Sequence, residues 1–257
     1  MFETIRFEKK EGLAWIRFNR PEHLNAFTKR MHKEISCALK DVKKDEEIRT
    51  LIFTGVGRAF SSGQDLKDVQ GATDYGDYLR ETYNPLISEI VSLEKPVIAA
   101  VNGVVAGAGF SLALACDFRL VSTRAKFTEA FIHVGLVPDS GHLFFLPRII
   151  GYAKAMELTV LGGDVSPEEA KKLGLATKLF APDRFEEEVR SFAKYISTLP
   201  TKTIGLIKKQ MHESFHHNLQ EMLEREAYAQ QVAGKTEDHR EGVSAFLEKR
   251  KPNFKGK

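Results

Sequence analysis

Apolar and polar positions alternate along residues 4–8 and again along 13–18, with Lys9-Lys10-Glu11-Gly12 between them, which predicts a β-hairpin. Asn19-Arg20-Pro21-Glu22 ends the second strand. From 25 to 43 the period becomes helical, with Phe27, Met31, Ile35 and Leu39 four residues apart. Residues 50–54 predict a short apolar strand running into the Gly55-Val56-Gly57-Arg58 turn, and 75–93 predict a polar helix. Pro96 introduces Val97-Ile98-Ala99-Ala100-Val101, whose unbroken apolar character suits a strand buried on both faces. A small-residue loop over 103–109 opens a helix through 110–115, and 118–122 return as a strand. Strands alternating with helices indicate an α/β fold with parallel pairing.

Beyond Asp164 the pattern is helical, over 166–173, 184–199, 202–215, 219–232 and 237–249. Ser166 followed by Pro167 marks one of these starts, a capping residue and then proline at the first helical position. The expected organisation is a core over 1–195 carrying the active site, and a helical region over 196–257 that packs on its own core or on another subunit.

Two segments point to chemistry. Ala59-Phe60-Ser61-Ser62-Gly63-Gln64-Asp65-Leu66 is a sharp turn after an apolar strand, and Gly103-Val104-Val105-Ala106-Gly107-Ala108-Gly109 opens a helix. Unpaired N–H groups at a helix start favour negative charge, and small residues let a substrate reach the main chain. Glycine-rich turns are common, but two such segments meeting would form an oxyanion hole for an enolate or a tetrahedral oxyanion.

Charge and cysteine content narrow the setting. The 257 residues are 42% hydrophobic and 28% charged, ordinary globular values, and 38 basic against 35 acidic side chains give a net +3. That balance argues against a nucleic-acid surface; the exception is the basic ending from Lys249 to Lys257, a solvated tail or a phosphate contact. Cys37 and Cys116 lack metal-ligand spacing and read as small core residues. With no signal-peptide pattern and no apolar run near the roughly 20 residues that cross a bilayer, the expectation is a cytoplasmic protein without a membrane partner.

The chain resembles the crotonase superfamily, the enoyl-CoA hydratase/isomerase family. The resemblance runs through Asn19-Arg20-Pro21, Leu24-Asn25-Ala26, the ten residues from Gly57 to Leu66, and the nine from Lys95 to Gly103. It continues through Gly135-Leu136-Val137-Pro138 to Glu241-Gly242-Val243-Ser244-Ala245-Phe246. It implies a spiral of ββα turns with a C-terminal helical region, often assembled as a homotrimer or hexamer. It also implies an acyl-CoA substrate whose thioester oxygen sits between the main-chain N–H groups of Gln64 and Ala108. Coenzyme A is then part of the substrate and no separate cofactor or metal is expected. Its adenine and pantetheine fall near Ala26 and the backbone of Gln64, Asp65, Leu66 and Lys67. For the Asp65 side chain a turn-capping role is favoured over chemistry.

Within this family the side chains around the hole choose the reaction. A typical hydratase carries two glutamates that activate water; here those positions are Ser111 and Phe131. Glu129 would need a shift of two residues to take the second place. Asp139 stands where glycine is usual, a position that holds the base or nucleophile in some isomerases and dehalogenases of the superfamily. Its bland alternative is a helix cap after Pro138. Phe131, with Val105 and Phe110 as neighbours, predicts an apolar wall that disfavours ordered water and raises a nearby carboxylate's pKa. His133 and His142 are further candidate acids, against a plain packing or surface role.

The expectation is therefore a proton-transfer isomerase of an enoyl-CoA or of a ring-epoxidised phenylacetyl-CoA, with Asp139 as base. The second half of that expectation rests on the longer similarity through Asp139-Ser140-Gly141, Thr236-Glu237-Asp238-His239 and the Lys-Arg-Lys-Pro-Asn-Phe-Lys-Gly ending to the ring-epoxide isomerase branch of the family. Alternatives are an enoyl-CoA hydratase of fatty-acid oxidation, with Asp139 and Ser111 placing the water, and a non-catalytic acyl-CoA- or RNA-binding scaffold.

Overall fold

The computed structural model describes residues 2–69 and 74–257. The opening hairpin forms as β1 (Ile5–Lys10) and β2 (Leu13–Phe18), antiparallel. Helix α1 (Lys29–Lys44) begins four residues later than its periodicity predicts, and Thr28 caps it by accepting from Met31 N–H. The delay has a local cause. Leu24 and Asn25 take positive φ (50° and 56°), and Phe27 is extended, paired with Gln64 in an isolated parallel bridge. Asn25 is held there by its side chain, which accepts from Arg20 N–H and donates to the carbonyls of Val56 and Ala59.

After α1 the chain repeats one move. It enters a large sheet, crosses to a small one, and returns through helix. The first turn is β3 (Thr50–Gly55), β4 (Ala59–Ser61), then α2 (Tyr75–Glu81) and α3 (Tyr83–Ser92). The second is β5 (Val97–Val101), β6 (Val104–Ala106) and α4 (Gly107–Ala115). The third is β7 (Phe118–Ser122), β8 (Lys126–Thr128), then α5 (His142–Ile150) and α6 (Tyr152–Leu161). Strand β9 (Asp164–Val165), helix α7 (Pro167–Lys172), strand β10 (Lys178–Phe180) and helix α8 (Phe185–Ser197) follow. Helices α9 (Thr201–Glu213), α10 (Leu219–Ala233) and α11 (Glu237–Leu247) complete the C-terminal region. The large sheet has the order β1-β2-β3-β5-β7-β10, and the small one β4-β6-β8-β9. This is the expected ββα spiral.

The predicted single helix over 75–93 is two helices that meet at Thr82. Pro85 has no N–H for the carbonyl of Glu81 four residues back, so an unbroken helix would lose a bond and meet a clash there. The apolar pattern does not show the strands β4, β6, β8, β9 and β10 or the helices α5 and α6, and residues 59–61, expected in a turn, form β4; strands of two or three residues are too short to show a period. The boundary expected at 195 falls in the last turn of α8, whose Phe185, Val189 and Ala193 pack under the large sheet against Leu13, Trp15, Ile52 and Ile98. The opposite face, through Ile16, Phe18, Phe53, Ala99 and Val101, packs on α1, α3 and α4. Both faces are covered, which is why β5 reads as an unbroken apolar run.

Cys116 is buried as expected, but Cys37 is exposed, on the outer face of α1. The basic ending is tied down rather than free: the N–H groups of Lys255 and Gly256 donate to the Asp238 carboxylate, and that of Asn253 to Glu241.

Candidate active site

β4, β6 and β8 lie side by side and parallel, with Ser61 opposite Val105, and Ala106 opposite Thr128. Their continuations, Ser62-Gly63-Gln64, Gly107-Ala108 and Glu129-Ala130-Phe131, therefore leave the sheet at one edge. Ligand sites in parallel sheets form at this carboxyl end, where loops and helix starts converge. Gly63 has φ +95°, and a Cβ placed on it would lie 3.1 Å from the Ala106 carbonyl oxygen and 3.3 Å from the Ala108 nitrogen. Glycine is what lets these two backbones touch. The tight packing of α4 on β4 has the same origin, since a Cβ on Gly109 would sit 2.7 Å from Ser61 Cβ.

Ala108 is the second residue of α4, so its N–H belongs to the first turn, which no helix carbonyl four residues earlier reaches. On the other segment, Phe27 N–H donates to Gly63 O (2.7 Å) and Asp65 N–H to Phe27 O (2.9 Å). The Gln64 N–H takes part in neither bond. Gln64 and Ala108 both line a cavity of about 410 Å³. Its walls are apolar or aromatic: Val69, Tyr78, Leu79 and Tyr83 from one side, Phe131, Val134, Leu136 and Val137 from the other. A wider cleft of about 700 Å³ near Arg49, Thr201 and the C-terminus shares none of these residues.

Asp139 is the single charged side chain lining this cavity among the described residues. Burial raises its carboxyl above the ordinary 3.8; a hydrogen bond from Ser140 Oγ (2.8 Å to Oδ1) and the nearby His142 oppose that only in part. The carboxylate does not cap the following helix. Gly141 occupies the cap position with φ +80° and no side-chain cap bond, while His142 N–H donates to the Asp139 carbonyl.

The Tyr83 hydroxyl donates to Gln64 Oε1 at 2.7 Å, and Gln64 Nε2 donates to the carbonyls of Phe27 and Asp65, each at 3.0 Å. Burial pushes the phenols of Tyr83 and Tyr78 above their usual range, so both stay neutral. Sequence reasoning missed these tyrosines. Tyr75, Tyr78 and Leu79 stand at i, i+3 and i+4, a helical face that the polar residues between them conceal.

The other expected residues divide into two groups. Leu66 is exposed and lines the cavity mouth, and Lys67 is exposed beside it. Asp65 accepts from Lys67 N–H through Oδ1 and from Arg20 through Oδ2 (2.9 Å), the geometry of a turn cap. The same guanidinium donates to the carbonyl of buried Ala26 at 2.7 Å. Phe131 lies on the wall, but Val105, Phe110 and Ser111 do not. All three are fully buried behind it, Val105 within β6 and Phe110 and Ser111 on α4, which is enclosed on every side. Behind Phe131, Ser111 Oγ meets His142 Nδ1 at 3.2 Å and His142 Nε2 meets Glu129 Oε1 at 2.8 Å. His133 is exposed, off the wall, and its Nε2 donates to the Gly162 carbonyl. Among the described residues, no group of three or more His, Cys, Asp or Glu is placed to hold a metal ion, and no helix is long and apolar enough to cross a membrane.

Repeated ββα turns closing on two main-chain donors define an α/β enzyme of the crotonase type. The chain belongs to the enoyl-CoA hydratase/isomerase family, whose profile matches residues 8–257. It is 41% identical to the 1,2-epoxyphenylacetyl-CoA isomerase of Escherichia coli K12 over the whole of both chains. It is also 41% identical to a probable enoyl-CoA hydratase of Rhodobacter capsulatus, covering 100% of this chain and 99% of that one. The crystal structure of a putative enoyl-CoA hydratase from Streptomyces coelicolor superposes with a TM-score of 0.94 at 31% identity, covering 100% of this chain and 96% of the other.

Proposed function

We propose that this enzyme is a proton-transfer isomerase of acyl-CoA thioesters, with Asp139 as the base and the Gln64 and Ala108 amides as the oxyanion hole. The observation that carries this reading is one half-buried carboxylate sharing a largely apolar cavity with two main-chain donor residues. Asp139 takes a proton from an acidic carbon of the acyl group, and the electron pair moves into the thioester carbonyl as an enolate. The two N–H groups hold that oxygen, each contributing roughly 3–4 kcal/mol to the transition state. Protonated Asp139 then returns the proton at another carbon, so the double bond migrates and no atom is lost. The carboxyl pKa, raised by burial, suits a group that must both accept and release a proton.

A ring-epoxidised phenylacetyl-CoA is the preferred substrate alongside enoyl-CoAs, supported by the full-length similarity to the isomerase of that name and by the aromatic walls. The coenzyme A portion would lie along Ala26 and the Gln64–Lys67 backbone, needing no further cofactor. Assembly as a homotrimer or hexamer is supported by Leu219, Phe246 and Leu247 on the C-terminal helices, which are 76%, 82% and 74% exposed in the single chain. Hydration has less support. Ser111, which would share a water with Asp139, is walled off from the cavity, and a phenylalanine fills the place of the second glutamate.

The deciding experiment offers purified protein a panel of 2-enoyl-, 3-enoyl- and ring-epoxidised phenylacetyl-CoA thioesters, assayed separately for double-bond migration, epoxide isomerisation and hydration. Isomerisation abolished by Asp139→Asn is expected. Hydration of crotonyl-CoA as the dominant activity, or full isomerase activity in that variant, overturns the reading.

A further inference from the structure

Ser111, His142 and Glu129 are 0%, 0% and 2% exposed, and their hydrogen bonds end on the peptide that carries the Ala108 N–H. Ser111 Oγ lies 3.3 Å from the Gly107 carbonyl oxygen and 3.2 Å from His142 Nδ1, whose other nitrogen lies 2.8 Å from Glu129 Oε1. The Gly107 carbonyl and the Ala108 N–H are two ends of one peptide group. A donor at the oxygen withdraws electron density from the nitrogen and strengthens its N–H as a donor, the cooperativity of chained hydrogen bonds.

A hydroxyl has one proton to give. Ser111 donates it to Gly107 O when His142 Nδ1 is itself a donor, which leaves the contact between Nε2 and Glu129 Oε1 to be closed by a proton on either of those two atoms. Glu129 is 2% exposed and finds its polar partner in His142 Nε2. The rings of Phe110 and Phe131 pack T-shaped against the imidazole, at 5.0 and 5.9 Å between centroids, and fix its plane. Asp139, in the turn before α5, is the other acidic group near the ring.

We propose that Glu129, His142 and Ser111 are positioning residues that polarise the Gly107–Ala108 peptide and so strengthen the oxyanion donor. This rests on the reading of Ala108 as that donor. None of the three lines the cavity, so they act through the peptide and not on substrate. Ser111 stands at a position where the family resemblance puts a water-activating glutamate, and the relay turns that position to the carbonyl instead.

The test is the isotope-edited infrared band of the thioester carbonyl in butyryl-CoA labelled with carbon-13 at C1, a probe with no double bond to move or hydrate. In the wild-type complex the band is expected at lower wavenumber than in free butyryl-CoA. Ser111→Ala and Glu129→Gln are each expected to move it part of the way back and to lower kcat for enoyl-CoA isomerisation about two- to tenfold with KM little changed. Ser111→Thr, which keeps the hydroxyl, is expected to restore both. An unmoved band in folded Ser111→Ala that still binds butyryl-CoA overturns the relay and leaves the isomerase reading standing. A wild-type band identical to that of free thioester overturns the oxyanion reading itself, and the relay with it. Nitrogen-15 spectra of ring-labelled wild-type histidine, with His142 assigned by its loss in His142→Gln, supply a readout independent of variant folding. A protonated Nδ1 is expected, and an unprotonated Nδ1, which would take the Ser111 proton for itself, overturns the proposal.

Discussion

The Tyr83 hydroxyl and Gln64 Oε1 are joined by a 2.7 Å hydrogen bond that ties α3 to the loop after β4. Since Gln64 Nε2 also holds the carbonyls of Phe27 and Asp65, the side chain of Gln64 braces the backbone that presents its own N–H. Tyr83→Phe keeps the ring and leaves Gln64 Oε1 without this donor. The variant is expected to lose about 1–3 kcal/mol of stability and roughly tenfold in kcat, with KM moving less because the loosened donor matters most to the developing enolate. Urea titration and steady-state kinetics check the two effects.

As the proposed base, Asp139 is expected to set a pH dependence of both activity and stability. Its carboxyl is raised in the folded protein by burial, so the folded chain holds a proton there that the unfolded chain has already lost. That contribution to stability is complete below the unfolded value and is lost as pH rises through the folded one. Asp139→Asn is therefore expected to melt at or above the wild type near pH 7.5, the difference closing as pH falls toward 4. In the wild type, isomerase kcat/KM is expected to fall on the acid side at a pH above the ordinary carboxylate value. Melting curves across pH and a kcat/KM profile measure these together, and a variant less stable than wild type at neutral pH removes the assigned desolvation.

His32 sits beneath Tyr83, its ring 4.1 Å from the phenol ring, 3% exposed and with neither ring nitrogen hydrogen-bonded among the described residues. Burial pushes its pKa down to about 4 from 6.5. Between those values the unfolded chain binds a proton that the folded chain refuses, so stability falls as pH drops from about 6.5 to about 4. The full window corresponds to at most about 3 kcal/mol. His32→Leu is expected to flatten this part of the stability–pH curve, as followed by urea midpoints at pH 4.5 and 7.5.

Arg20 links the two segments proposed to flank coenzyme A, donating to Ala26 O and to Asp65 Oδ2. Both side chains of the ion pair are largely buried, at 17% and 16% exposure. Arg20→Ala is expected to cost about 1–3 kcal/mol of stability and to raise KM several-fold. A matching rise in the inhibition constant of free coenzyme A would assign the effect to the cofactor-like handle and not to the acyl group. An unchanged KM would separate Arg20 from substrate binding.

The two amide-bearing segments were legible because their chemistry needs small residues at fixed places, and small residues in a row are visible in any chain. Asp139 stood out for a different reason, through the family resemblance, as a carboxylate where glycine is usual. Tyr78 and Tyr83 were hidden, because a residue's use as cavity wall depends on what faces it, and the Thr82 break in the predicted helix turned their faces. Val105, Phe110 and Ser111 were expected on that wall and lie behind it. Spacing along the chain gives distance from the oxyanion segment but not which side of an enclosed helix a side chain occupies.

By itself, the sequence determined the α/β class, the strand–helix alternation, the helical C-terminal region and the two small-residue segments that carry Gln64 and Ala108. Those properties follow from local periodicity, from turn chemistry and from residue types that few positions tolerate. Tertiary structure alone decided that β4, β6 and β8 end at one edge, that Gly63 and Ala108 touch, and that Glu129 reaches His142 and Ser111 across 31 residues of chain between the last two. The physical reason is that parallel pairing and burial bring together groups that are remote in the chain, and only their packing fixes which polar atoms must satisfy one another.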